Sequence, residues 1–321
     1  MKKLSFVFFG STQFSKKLLL SLIKNKFIPR AIFSIPPEFS ISYSHKKVKN
    51  INYANLKKIA VEHNISYYEI DSVEGKKTKD YNYILQQLNL DLILVIGWYY
   101  ILPQSTIKIS KYGAWGIHAS LLPKYAGGAP LTWAIINGEK KTGITFFRMK
   151  DGVDDGDIIA QKSFVIKYKD TVKDVYKKAT LASNKVLIET LAKIHNVKFI
   201  PQDKSKLKYY PQRSPEDGLI NWNSNAENIY NFVRAQTLPY PCAFSEIYKV
   251  KIKIFDCNVF NLNNHSYKAG EIVKIKNKAL VATKDKFIEI GQIDIQKKNY
   301  RFKDYVKNKN LWGEIFSNKN L

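Results

Sequence analysis

The sequence predicts an α/β protein in which a domain with a mostly parallel sheet is followed by a small β-barrel domain. At 321 residues the chain exceeds the usual size of a single domain, and its 45% hydrophobic residues can supply two cores. The N-terminal part alternates short apolar runs with amphipathic stretches, a pattern typical of parallel strands joined by helices. The C-terminal part contains short alternating segments between turn residues, which indicate a barrel.

The first domain is expected to begin with a strand and a helix. An apolar run at Leu4–Phe9 predicts the strand, and the periodic segment Thr12–Asn25 predicts the helix. The next predicted elements are a strand over Ala31–Ser34, a helix over Tyr53–His63, a buried strand over Leu92–Gly97 and a long helix over Asp170–His195, with Thr171 and Asp174 as its capping box.

The segment Pro201–Ser214 mixes Pro, Lys, Gln and Ser without periodicity, which is typical of a linker. We therefore expect domains over residues 1–200 and 215–321, joined by a linker over residues 201–214. The second domain should contain a helix over Ala226–Ala235 and strands over Lys251–Phe255, Glu271–Ile275, Ala279–Thr283 and Phe287–Ile290.

The composition favours a cytoplasmic protein. No apolar run approaches the length of a membrane span, and the run Leu4–Phe9 is not followed by a small-residue cleavage site. The two cysteines, Cys242 and Cys257, suit neither a disulfide scaffold nor a zinc site. We expect no membrane partner and no metal.

The formal net charge of +25 raises the possibility of a nucleic-acid partner. The excess is spread along the chain, and Arg, which favours bidentate phosphate recognition, is scarce. The arginines are Arg30, Arg148, Arg213, Arg234 and Arg301. A general bias toward Lys therefore explains the charge as well as a polyanion-binding surface does.

The stretch Gly113–Gly138 contains the first candidate for chemistry. Alternate residues of an extended segment share a face, so Gly116, His118 and Ser120 are expected to point the same way. His118 ends an apolar strand just before a loop with Pro and Gly, where open α/β sheets bind ligands. Taken alone, it fits a catalytic or a structural histidine equally well.

The acidic loop Asp151–Asp157 is the second candidate. Its spacing lacks the Glu that closes an EF-hand, so a calcium site is not expected, and a solvated turn is the simplest alternative. A carboxylate beside a histidine can orient the ring and stabilise its protonated form, as proton-transfer chemistry requires. The pair His118 and Asp154 is therefore a stronger candidate than either residue alone.

Separated motifs occur in a fixed order along the chain. They are His-x-Ser-Leu-Leu-Pro (His118, Ser120, Leu121, Leu122, Pro123), Gly-x-Asp-x-Gly-Asp (Gly152, Asp154, Gly156, Asp157) and a C-terminal set (Pro215, Asp217, Gly218, Trp222, Arg234, Ala235, Pro239, Pro241). By these motifs the chain resembles the formyltetrahydrofolate-dependent formyltransferases, which include methionyl-tRNA and amino-sugar formyltransferases. The resemblance spans both expected domains.

The resemblance implies a Rossmann-like formyltransferase domain, an OB-like barrel, and 10-formyltetrahydrofolate as co-substrate without a metal. It implies His118 and Asp154 as catalytic residues and Gly116 with Ser120 as the oxyanion region. The implied folate-binding residues are Ile96, Gly97, Trp98, Tyr99, Asp151, Gly152 and Val153, although Trp98 fits a core residue equally well.

Gly116 stands where the family has Asn, whose amide would donate a hydrogen bond to the oxyanion. Loss of such a donor typically costs about 2.7 to 4 kcal/mol of barrier. Either a backbone N–H, another side chain or a water replaces it, or the protein is a folate-binding relative with little or no turnover.

The acceptor amine is left open between two classes. The basic composition and the two-domain plan favour methionyl-tRNA. The segment after strand two, FSIPPEFSISYSHKKVKN, has Lys46, Lys47 and Lys49 but no Arg, and Ala126–Thr132 with the following WAIINGE resembles the aminoarabinose-pathway formyltransferase. An amino-sugar nucleotide is therefore the close alternative, and hydrolysis of formyl-folate is a third possibility.

Overall fold

A computed structural model describes residues 4–41, 44–71, 73–264 and 266–317. Contacts divide the chain into two compact units. The first comprises Met1–Ala126, Gly143–Phe164 and Ala179–Lys208, and the second comprises Gly127–Thr142, Val165–Lys178 and Tyr209–Leu321. Within the described ranges, every helix is too short or too polar to cross a lipid bilayer.

Strands and helices alternate through the N-terminal part, as the sequence predicts. In chain order they are β1 (Phe6–Phe9), α1 (Gln13–Lys24), β2 (Ala31–Ser34), β3 (Glu38–Ile41), β4 (Ser44–Lys49), α2 (Lys57–Glu62), β5 (Ser66–Glu69), α3 (Asn82–Gln87), β6 (Leu92–Val95), α4 (Gln104–Ile107), β7 (Ala114–His118), β8 (Ala126–Gly127), α5 (Pro130–Ile136), β9 (Lys141–Arg148), β10 (Ile158–Val165) and α6 (Val172–Ala192).

The main sheet has the strand order β10-β9-β7-β6-β1-β2-β5. Strands β7, β6, β1, β2 and β5 run parallel, and β9 pairs antiparallel with β7. Strands β1 and β6 lie in its interior and consist of buried apolar residues, which is typical of strands covered on both faces. The predicted mostly parallel sheet is confirmed.

Helix α1 has capping residues at both ends, which is why the sequence predicts where it begins and ends. The Thr12 hydroxyl accepts a hydrogen bond from Ser15 N, and Ser15 Oγ accepts one from Thr12 N, so that the two residues form a reciprocal cap. Asn25 closes the other end. The helix buries Leu18 and Leu22 on one face. Helix α2 begins later than predicted, at Lys57 instead of Tyr53, because Tyr53 lies in an isolated bridge with Thr12.

The C-terminal part is mainly antiparallel β-structure. Its elements are β11 (Tyr209–Tyr210), α7 (Ala226–Arg234), β12 (Ala243–Ile247), β13 (Val250–Ile254), β14 (Cys257–Phe260), β15 (Ile272–Ile275), β16 (Lys278–Ala282), β17 (Phe287–Ile290), β18 (Gln292–Ile295), β19 (Lys298–Arg301) and α8 (Phe302–Lys309). Two four-stranded sheets, β12-β13-β18-β19 and β14-β17-β16-β15, share one apolar core. The expected small C-terminal β-domain is confirmed, and its strands form antiparallel sheets.

Two residues of the C-terminal motif, Trp222 and Arg234, make structural contacts. Trp222 is fully buried, stacks on Phe316 at 5.5 Å between ring centroids, and donates its Nε1 hydrogen to Ser245 Oγ at 2.9 Å. Arg234 is buried and donates to the Asp170 carbonyl oxygen at 2.6 Å. These residues hold the second unit together through burial and hydrogen bonding.

Candidate functional site

The candidate site is built around the carboxyl end of β7. This strand lies between β6 and β9, and its Trp115 is fully buried and donates to the Tyr112 carbonyl oxygen at 2.9 Å. His118 is the last residue of β7 and lies opposite Thr145 of β9. The sheet therefore fixes the backbone from which the imidazole projects.

The His118 ring lies between two oxygen acceptors. Its Nδ1 is 3.3 Å from Asp154 Oδ2, and its Nε2 is 2.7 Å from the Tyr125 carbonyl oxygen. The residue is only 8% exposed. Neither a carboxylate nor a carbonyl oxygen can donate a hydrogen, so a protonated ring satisfies both contacts, whereas a neutral ring satisfies only one. The structure thus brings together the two residues predicted to be catalytic.

Both acceptors come from residues in the left-handed backbone region. Tyr125 has φ of +56° and Asp154 has φ of +53°. Such conformations cost roughly 1–3 kcal/mol each in residues other than glycine and cluster at functional sites. Two strained residues that converge on one imidazole indicate that the fold is arranged to hold this ring.

The turn after β7 is held by side chains that the sequence gave no reason to select. Thr145 Oγ1 donates to the Ser120 carbonyl oxygen at 2.7 Å and accepts from Leu122 N at 3.0 Å. Gln161 Nε2 donates to the Leu122 carbonyl oxygen at 2.9 Å. These hydrogen bonds fix the path of the chain between His118 and Tyr125.

Ser120 does not share the strand face predicted for it, because β7 ends at His118 and Ser120 lies in the following turn. Its hydroxyl donates to the Lys124 carbonyl oxygen at 2.6 Å. The hydroxyl hydrogen is therefore used within the turn, where it stabilises the turn's geometry.

Gly116 lies inside the sheet, in register with Val95 of β6 and Phe147 of β9. With a paired strand on either side, its backbone N–H and C=O belong to the sheet ladders. A Cβ at this position would lie 3.4 Å from Phe147 Cε1 and 3.6 Å from Met149 Sδ, which are ordinary contacts. The Cβ would also lie 3.4 Å from the Val95 carbonyl oxygen, so the sheet has room for a Cβ at Gly116, and the Gly116 backbone is not a free donor.

The segment after β6, predicted to bind folate, lies against the start of α1. Ile96 is fully buried, and its carbonyl oxygen accepts a hydrogen bond from Ser15 Oγ at 2.5 Å. Gly97 has φ of +64°, and its carbonyl oxygen accepts from Ser11 N at 3.2 Å. The carbonyl oxygens of Ile96 and Gly97 are therefore already used within the protein, and the Ile96 side chain is buried, so a folate-binding role for these two residues stays a prediction.

Trp98 packs against the core, and its role in binding folate stays a prediction. Its ring packs edge-on against Phe9 and Tyr100, with centroid separations of 5.1 and 5.7 Å. Its Nε1 is buried and has no hydrogen-bond partner within the described residues. Since buried indole N–H groups usually find an acceptor, this one is available to a ligand or a water. Tyr99 is exposed, and its hydroxyl donates to Asn50 Oδ1 at 3.1 Å.

The acidic loop places its carboxylates in different surroundings. Asp154 faces His118, whereas Asp155 lies 3.4 Å from Lys204 Nζ and Asp157 lies 2.7 Å from Lys150 Nζ. The predicted folate-binding residues of this loop, Asp151, Gly152 and Val153, are exposed. In the described part of the chain, no three His, Cys, Asp or Glu side chains are grouped closely enough to bind a metal.

Comparison with known proteins gives matches along most of the chain. A family model described as formyl transferase matches residues 2–191, and one described as formyl transferase, C-terminal domain, matches residues 213–310. A methionyl-tRNA formyltransferase from Thermodesulfovibrio yellowstonii is 32% identical over 309 residues, covering 95% of this chain and 96% of that protein.

Two further similar proteins have names other than methionyl-tRNA formyltransferase. The bifunctional polymyxin resistance protein ArnA of Wigglesworthia glossinidia brevipalpis is 38% identical over 244 residues, which cover 75% of this chain and 36% of that protein. An N-formyltransferase from Helicobacter canadensis, solved with folinic acid and dTDP-3-aminofucose, has a TM-score of 0.61 at 21% identity and covers 91% of this chain and 100% of that chain. This last likeness supports the fold.

Gly97→Ala should destabilise the protein more than a glycine replacement with the same backbone conformation elsewhere. A Cβ at Gly97 would overlap Thr12 Oγ1 and lie 2.5 Å from Ser15 Oγ, and both hydroxyls are committed to the cap of α1. Gly313 also has positive φ, +82°, but a Cβ there meets nothing within 4 Å.

In chemical denaturation, Gly313→Ala should lower the free energy of unfolding by about 1–2 kcal/mol, the cost of the left-handed backbone alone. Gly97→Ala should lower it by about 1–3 kcal/mol more, because of overpacking. An equal loss of unfolding free energy in the two variants would show that Thr12 and Ser15 move away from the added Cβ without cost.

Proposed function

Because this chain belongs to the formyl transferase family, we propose that it transfers a formyl group from 10-formyltetrahydrofolate to a primary amine, with the amino group of methionyl-tRNA as the preferred acceptor. The observation that carries the proposal is the contact between His118 Nδ1 and Asp154 Oδ2 at the carboxyl end of a central strand. Ligands of open α/β sheets bind at this edge.

The reaction requires one proton to change places. The amine nitrogen attacks the formyl carbon, the bond between that carbon and the folate nitrogen breaks, and a proton passes from the amine to the departing nitrogen. A histidine changes its protonation near neutral pH and can assist such a transfer. Asp154 holds the ring through Nδ1, and its charge stabilises the protonated form. Nε2 can exchange a substrate proton once its contact with the Tyr125 carbonyl opens.

The missing Asn amide at Gly116 makes the charge of His118 more important. Two of the replacements that the sequence suggested are already engaged, since the Gly116 backbone belongs to the sheet and the Ser120 hydroxyl donates to Lys124. A protonated imidazole would supply positive charge as negative charge develops on the formyl oxygen. Both ring nitrogens of His118 also face acceptors already, so we assign to His118 only the stabilisation that comes from its charge. An ordered water or the acceptor would then supply the hydrogen-bond donors.

The choice of methionyl-tRNA rests on relatives that carry that name and align with this chain over 96% of their own length. The hairpin of β3 and β4, which follows β2, adds little support, because Lys47 is paired with Asp71 at 2.6 Å between Nζ and Oδ2. Lys49 is exposed, and the side chain of Lys46 lies outside the described part of the chain. An amino-sugar nucleotide is the second candidate, favoured by the resemblance of Ala126–Thr132 and the following WAIINGE to the aminoarabinose-pathway formyltransferase.

A direct assay separates these functions. The purified protein is mixed with 10-formyltetrahydrofolate and methionyl-tRNA, an amino-sugar nucleotide, or no acceptor, and both folate consumption and the formylated product are measured. The proposal expects formyl-methionyl-tRNA. Formylation of the sugar alone would reassign the acceptor, folate consumption without an acceptor would indicate a hydrolase, and folate binding without consumption would indicate a non-catalytic protein.

His118→Ala should lower kcat by about a hundredfold or more, because general acid–base catalysis contributes on that scale. Asp154→Asn should also lower kcat while leaving the thermal midpoint close to that of the wild type, because the shape of the side chain is kept. His195→Ala and Asp80→Asn are matched controls at exposed positions. Near wild-type turnover in His118→Ala, or parallel loss of stability and activity in Asp154→Asn, would contradict these roles.

Gly116→Asn should reduce turnover with every acceptor, by about tenfold, because the amide reaches beyond the Cβ into a site arranged without it. The Cβ itself makes ordinary contacts with Phe147 and Met149, so the variant should fold. Gly116→Ala separates the effect of the Cβ from that of the amide and should cause the smaller loss. A clear gain in rate with Gly116→Asn would show that the site has an unfilled oxyanion position.

A further inference from the structure

We propose that Gln202 is a positioning residue for Asp154, so that the segment after α6 is a working part of the candidate site. This inference rests on the proposed role of Asp154 and extends it to a residue between the two family matches, which end at residue 191 and resume at residue 213. From its composition alone, the same segment is predicted to be a linker.

The Gln202 side chain holds the acidic loop at two points. Its Nε2 donates one hydrogen bond to the Asp154 carbonyl oxygen and one to the Gly156 carbonyl oxygen, each at 2.7 Å. Both amide hydrogens are therefore used, and Gln202 is only 9% exposed. The two carbonyl groups flank Asp155, so the amide fixes the backbone on both sides of that residue.

The loop needs such a restraint because Asp154 has a left-handed backbone. Its φ of +53° is unfavourable for a residue other than glycine, and conformations of this kind persist only where the surroundings impose them. Gln202 binds the carbonyl oxygen of Asp154 itself. It therefore acts on the peptide unit whose orientation directs the Asp154 side chain toward His118.

Gln202 is itself anchored by neighbours on the same segment. Ile158 N donates to the Ile200 carbonyl oxygen at 2.7 Å, and Ile200 N donates to the Ile158 carbonyl oxygen at 2.8 Å. This bridge joins the segment to the first residue of β10, which directly follows the acidic loop. Lys204 Nζ adds a contact with Asp155 Oδ2 at 3.4 Å. The segment is thus fixed beside the loop independently of Gln202.

The contact between His118 Nδ1 and Asp154 Oδ2 tolerates little displacement of the acidic loop. The Nδ1 to Oδ2 distance of 3.3 Å is already at the long end of hydrogen-bonding distances, so a small shift of the loop would lose it. An amide with two hydrogens suits the two carbonyl acceptors. A glutamate of the same shape would place a carboxylate against two carbonyl oxygens, and a methionine of similar length would offer no donor.

The test compares Gln202→Met with Lys206→Met, an exposed position in the same segment. Partners that orient a functional group typically matter by about 10- to 100-fold, so Gln202→Met should lower kcat by that factor and leave KM for both substrates within about twofold. Lys206→Met should have the kcat and KM values of the wild type. Gln202→Glu should behave as Gln202→Met does, and it replaces that variant if Gln202→Met fails to fold.

The same substitution in an Asp154→Asn background shows whether Gln202 acts through Asp154. In that background Gln202→Met should lower kcat by less than about twofold, because residues in one network are not additive. If Gln202→Met lowered kcat by the same factor in the wild-type and Asp154→Asn backgrounds, the inference would be overturned. Unfolding of both Gln202→Met and Gln202→Glu would also overturn it, because Gln202 would then be a general stabilising residue.

A measurement without turnover distinguishes failure of this inference from failure of the proposed function. The ¹⁵N chemical shift of His118 Nδ1 in Gln202→Met should move toward the value found in Asp154→Asn, which marks the lost contact. That shift would support the positioning role even if no acceptor is formylated, whereas a wild-type shift would overturn it. Absence of formyl transfer by the wild type would count against the proposed function alone.

Discussion

The structure of the site depends on holding one imidazole between a carboxylate and a carbonyl oxygen. The ring of His118 contacts Asp154 on one side and Tyr125 on the other, and both partners have backbone conformations that an isolated chain would avoid. The burial of the ring leaves water little access, so these two oxygens are the acceptors that fix its orientation. The surrounding fold can be understood as the support for these contacts.

That support comes from segments far apart in the sequence. Thr145 on β9 and Gln161 on β10 hold the turn that delivers the Tyr125 carbonyl, while Gln202 holds the loop that delivers Asp154. All three act on backbone groups, so they fix geometry without adding charge. A site arranged in this way begins the reaction with its groups in place, which is a principal source of catalytic power.

Gly116 places this chain apart from the pattern of its family. Its backbone belongs to the central sheet, and the space beside it is bordered by Phe147 and Met149. The same strand keeps His118, and the acidic loop keeps Asp154, with the contacts between them intact. The arrangement is that of an ordered site, and in the proposed function the charge of His118 takes over part of the work of an amide.

The sequence by itself determined the fold class, most elements and the pair at the centre of the site. It located β2 and β17 to the residue and α1 to its capping residues, because apolar runs and caps act over a few neighbouring positions. The sequence did not predict the β3–β4 hairpin, because short polar strands are stabilised mainly by pairing with each other. Only the tertiary structure revealed the Tyr125 carbonyl and Gln202, because a backbone oxygen has no residue signature and an amide's partner is chosen by folding.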